Sequence, residues 1–145
     1  MNAWVEDENR SKILVIDASG KLKKFLTSNL TDKFDIIRVE TFESALKKLS
    51  ERKCDLIVHN KDDIAKDYEE FLELKKREYS EIPFLLYSEE RDEEVIKEAK
   101  KREVSDLIFP DEGSLIQNRI DLLLESGHIS NSSEKLLQRM DEGLV

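Results

Sequence analysis

The chain has 145 residues, enough for one domain around one hydrophobic core. Its 33 acidic residues against 24 basic ones give a formal charge of −9, which repels phosphate backbones and anionic membranes and argues against intrinsic nucleic-acid binding. No apolar run approaches the length of a membrane span, the first ten residues lack a secretory pattern, and the lone Cys54 suits a reducing compartment, so the expected location is cytoplasmic.

Five short apolar runs alternate with amphipathic segments. Residues 12–17 come first; their apolar side chains do not alternate, the pattern of a strand buried on both faces. Leu22, Phe25, Leu26 and Leu30 follow at helical spacing. Residues 34–39 read as a second strand, more polar and so nearer an edge, and Phe42, Ala45, Leu46 and Leu49 as a second helix. The third strand covers 54–59, followed by a helical stripe of Ile64, Tyr68, Phe71, Leu72 and Leu74. The fourth covers 82–87, with Pro83 at a strand start, where a missing donor is tolerated. Val95, Ile96 and Ala99 mark a heavily charged helix with an acidic start and a basic end, which suits the helix dipole. The fifth strand covers 104–109, and Leu115, Ile116, Ile120, Leu123 and Leu124 form the last core helix, with Gly127 placed to end it.

Strands alternating with helices imply a parallel sheet with right-handed crossovers and helices on both faces, a doubly wound α/β fold. Ligand sites in such sheets lie at the carboxyl ends of the strands, here residues 17–20, 59–63, 88–91 and 109–112. The domain is expected over 11–127. Residues 1–10 read as a flexible leader. Residues 128–145 read as a tail with a short helix started by Asn131 and Glu134 and faced by Leu136, Leu137, Met140 and Leu144, either packed on its own domain or frayed, or else in contact with a partner or second copy. Walker-type loops, G-x-G-x-x-G after the first strand and G-x-S-x-G elbows are all missing from the sequence.

Residues 12–20 (KILVIDASG) with the helix after them, residues 39–46 (VETFESAL), residues 55–60 (DLIVHN), residues 82–88 (IPFLLYS) and residues 104–109 (VSDLIF) together resemble response-regulator receiver domains, over roughly 11–126. The resemblance implies a flavodoxin-like fold with five parallel strands in the order 2-1-3-4-5 and five helices. It also implies a phosphoacceptor pocket in which Mg²⁺, held by carboxylate oxygens, assists phosphoryl transfer to an aspartate.

At that pocket the sequence departs from the pattern. The acidic pair after the first strand is reduced to Asp17 and Ala18, the acceptor aspartate is replaced by Asn60, and the lysine after the fifth strand appears as Pro110. Ser88 keeps the usual hydroxyl, and an ungapped reading puts Leu107 at the aromatic switch position. An amide is a poor nucleophile, and charge stabilisation at phosphorus needs the metal and the lysine together. The expectation is therefore a non-enzymatic pseudo-receiver with no metal and no cofactor. Within it Asp17 would be a solvated strand-end carboxylate, Asn60 would bond nearby loop backbone, Ser88 would cap the turn at 88–91, and His59 would point away from the pocket and bind no metal.

Two alternatives stay open: a receiver phosphorylated at Asp62, Asp63 or Ser88, and a ligand sensor using the vacated pocket. Asp62 or Asp63 would also be the residues to help Asp17 hold a cation. The resemblance further implies a partner surface on the fourth helix, fifth strand and fifth helix, with Val95, Lys101, Leu107, Leu115 and Arg119 as candidates. A protein partner or a homodimer would use it, without direct nucleic-acid or membrane contact.

Overall fold

A computed structural model describes residues 10–31, 33–61, 68–101 and 104–126. Its strands are β1 (Ser11–Ile16), β2 (Phe34–Val39), β3 (Leu56–Asn60), β4 (Phe84–Tyr87) and β5 (Asp106–Ile108). Its helices are α1 (Lys21–Asn29), α2 (Phe42–Glu51), α3 (Tyr68–Glu78), α4 (Glu93–Lys101) and α5 (Gly113–Ser126), the last preceded by a 3₁₀ turn over Pro110–Glu112. All strand pairs are parallel and the order is β2-β1-β3-β4-β5, as the sequence implied. The polar second strand is an edge strand.

Both faces of the sheet are covered, which explains apolar runs without alternation. Ile13, Val15, Leu56, Val58, Leu85 and Ile108 pack with Leu22, Leu26, Ile116 and Ile120 of α1 and α5. Leu14, Ile16, Ile57, Leu86 and Leu107 face the other way, against Phe42, Ala45, Phe71, Val95 and Ala99 of α2, α3 and α4. Strand pleating sends neighbouring residues to opposite layers, so each strand feeds two cores at once.

Local chemistry fixes the helix starts. Thr41 Oγ1 accepts from the Ser44 N–H at 3.0 Å, and Asp92 Oδ1 accepts from the Val95 N–H at 2.9 Å, so α2 and α4 have ordinary side-chain caps. Gly20, which precedes α1, has φ +87° and no side chain to offer. The cap comes from further back: Asp17 Oδ2 accepts from the Lys23 N–H at 3.0 Å. Ile64, Asp62, Asp63 and the segments 1–9 and 127–145 lie outside the described residues.

Candidate phosphoacceptor-type site

The inter-strand ladder runs one step past the strands on the carboxyl edge. The Asp17 N–H donates to Val39 O at 2.9 Å, the Lys61 N–H to Tyr87 O at 2.8 Å, and the Ser88 N–H to Ile108 O at 3.1 Å. Asp17, Asn60 and Ser88 therefore sit in one row, all buried.

Asp17 was expected to be solvated, but it is 0% exposed. A buried carboxylate requires donors, and the chain supplies them. Oδ1 accepts from Asn60 Nδ2 at 3.1 Å and from Ser19 Oγ at 3.2 Å, and Oδ2 takes the Lys23 N–H. The Arg38 guanidinium lies beside it, with Nε 4.0 Å from Oδ2. Arg38 also clamps the loop: Nε donates to Asp17 O and Nη2 to Ala18 O, both at 2.7 Å. Asn60 thus bonds the Asp17 carboxylate directly. A carboxylate only accepts, so the amide must present its NH₂ group.

Ser88 Oγ accepts from the Glu90 N–H at 3.1 Å and donates to Glu90 O at 3.0 Å, the turn-capping role expected of it. Pro110 is exposed at the start of the 3₁₀ turn. The buried neighbour at this end of β5 is Phe109, whose ring carries the Arg91 guanidinium at 4.3 Å from its centroid. Arg91 Nη2 also meets Asp111 Oδ1 at 2.7 Å, tying the β4–α4 loop to the β5–α5 loop. Sequence reasoning missed both arginines. Arg38 had a visible signal as the lone cation within an otherwise apolar or acidic strand.

His59 turns away from the row, as strand alternation required. It packs against the rings of Phe42 and Tyr68, each at 5.0 Å, and of Phe84 at 6.3 Å. Among the described residues neither ring nitrogen has a hydrogen-bond partner, and burial pushes its pKa down to about 4.

The candidate interaction face needs revision. Val95 and Leu107 are 2% and 1% exposed, held in the layer between the sheet and the helices, so they belong to the core and not to a surface. Lys101 and Leu115 are exposed. Arg119 is partly covered, because Nη1 donates to Asp106 Oδ2 at 3.1 Å.

A divalent cation at this row would need several oxygen ligands. Among the described residues no group of three or more His, Cys, Asp or Glu side chains converges to hold a metal. The described donor set does not fit one either: Ala18 offers no side-chain oxygen, Asn60 turns its NH₂ toward Asp17, and both Asp17 oxygens already take protein donors.

No protein-family profile and no curated protein matches the chain. Solved structures do. The phosphorylated cyanobacterial phytochrome response regulator RcpA is 20% identical over 81% of this chain and 95% of its own, with a TM-score of 0.62. The response regulator RcsB of Salmonella typhimurium is 9% identical over 92% of this chain and 68% of its own, with a TM-score of 0.69. The non-phosphorylated receiver domain of RcsB from Escherichia coli is 7% identical over 81% and 95%, with a TM-score of 0.66. With strand order, helix placement and structural neighbours in agreement, the chain has the fold of response-regulator receiver domains.

Proposed function

We propose that this chain is a pseudo-receiver: a cytoplasmic signalling module that works through protein contacts, is not phosphorylated at the usual position and catalyses no reaction. One observation carries the reading. The single carboxylate left at the receiver pocket is saturated by Asn60, Ser19, the Lys23 N–H and the flanking Arg38. An amide nitrogen lone pair is delocalised and forms no acyl phosphate, and Asp17, buried and ion-paired, is poorly placed to attack an incoming phosphorus. Arg38 supplies in permanent form the positive charge that a metal would bring.

The contact surface in this reading is the exposed side of α4 and α5. Leu115 and Leu122, 44% and 49% exposed, stand seven residues apart on α5 with Arg119 between them, so the three share one helical stripe. A signalling protein or a second copy would cover it.

The test is incubation of the full chain with acetyl phosphate and Mg²⁺, read by intact mass. The expected result is no adduct. A stoichiometric gain of one phosphoryl group would overturn the proposal and point to Asp62, Asp63 or Ser88.

A further inference from the structure

His59 places an imidazole in the layer between the sheet and the helices α2 and α3, where it is 2% exposed. Phe42 of α2, Tyr68 of α3 and Phe84 of β4 close round it, and Phe71 of α3 stacks on Phe42 behind them. Among the described residues nothing hydrogen-bonds either ring nitrogen. A neutral ring tolerates that cage, whereas an imidazolium there is a buried charge with no counter-ion in contact. Burial sets this preference, and the charges that act on the ring from further off oppose each other: the Asp17 carboxylate favours the proton and the Lys61 ammonium disfavours it. Tyr68 is the other titratable group against the ring, while Glu43 of α2 and Glu69 and Glu70 of α3 are exposed.

The wall least able to hold this cage shut is α3. It seats one fully covered side chain, Phe71, whereas α2 seats Phe42, Ala45 and Leu49, and α4 seats Val95, Ile96 and Ala99. Tyr68, which covers the imidazole, stands in the first turn of α3 and is itself only partly buried. Elements with few buried apolar contacts open locally before a domain unfolds as a whole. We propose that His59 and α3 form an acid-operated latch: protonation of the imidazole releases α3 from the sheet while the rest of the domain stays folded, uncovering the rings of Phe42, Phe71 and Phe84. The uncovered ring has its ordinary pKa of 6.5 and the caged one about 4, so the open form takes the proton first. Opening is then independent of pH above that range and grows by up to about tenfold for each unit within it.

The latch does not rest on the pseudo-receiver reading. Native-state hydrogen exchange of the full chain from about pH 7.5 to 4.5, corrected for the intrinsic pH dependence of exchange, tests it. The expected result is that α3 amides exchange ahead of those of β1 at every pH, with an opening equilibrium that rises toward tenfold per unit below about pH 6. His59→Phe and His59→Leu, either of which serves if the other fails to fold, remove that rise. Exchange of α3 in step with β1 would overturn the proposal, because only global unfolding would then take up the proton. A rise that persists in a folded His59 variant would overturn it as well.

Discussion

Asn60 Nδ2 donates to Asp17 Oδ1 at 3.1 Å with both side chains shielded from water. The neutral amide thereby replaces a like-charge repulsion with an attraction at the carboxyl edge of the sheet.

Asn60→Asp reverses that sign. Two buried carboxylates then face each other, and the variant loses about 1–3 kcal/mol in metal-free buffer. Added Mg²⁺ recovers part of the loss in the variant and leaves the wild type unchanged. Thermal melts with and without Mg²⁺ check both halves, and a wild-type melt that rises with Mg²⁺ would contradict the site as described.

Arg38→Met keeps most of the side-chain stem but removes the donors to Asp17 O and Ala18 O. Charge-assisted bonds of this kind are worth more than neutral ones, so a loss of about 2–3 kcal/mol is expected in urea titrations. Arg38→Lys recovers little, because one ammonium cannot span both carbonyls and also flank the carboxylate.

His59 makes stability depend on pH. Its folded pKa, pushed down by burial to about 4, lies below the ordinary 6.5, so the unfolded chain binds the extra proton between those values. Stability is therefore full above pH 6.5 and falls as pH drops toward 4, by on the order of 3 kcal/mol. His59→Phe keeps the ring packing, removes two unpartnered nitrogens and flattens this slope. Asp35 acts at lower pH: burial raises its carboxyl, but hydrogen bonds from Lys12 and Arg10 bring it below 3.8, so its contribution is lost only as pH falls further. Urea unfolding carried from pH 8 down to about pH 2 separates the two.

Leu115→Asp with Leu122→Asp leaves the fold within about 0.5 kcal/mol, since both side chains are exposed. Self-association or partner capture is lost with it. Sedimentation and pull-down with the wild-type chain alongside give the comparison, and binding that survives both charges would move the contact surface elsewhere.

Much of this was legible before any coordinates. The run at 12–17 declared a strand buried on both faces because its apolar residues refuse to alternate, and the strand order followed from a resemblance spread over five segments. Asp17, Asn60 and Ser88 meet because parallel strands bring their carboxyl ends into one row. Less legible was what each side chain does there. Asp17 looked solvated because a strand-end aspartate usually is, and its burial depends on donors from four places in the chain, Ser19, Lys23, Asn60 and the flanking Arg38, that meet only in the fold. Val95 and Leu107 looked like surface by analogy, whereas their apolar character was the better guide. Pro110 drew attention as the residue in place of a lysine, while the buried ring at that corner belongs to Phe109, one position earlier.

The Arg38 clamp has a consequence for control. A guanidinium held covalently cannot diffuse away, so chelation cannot strip this corner of its positive charge. In the pseudo-receiver proposed above, control would then pass to what docks on the outside of the domain, or to how much of the chain a cell makes, rather than to the occupancy of an inorganic ion.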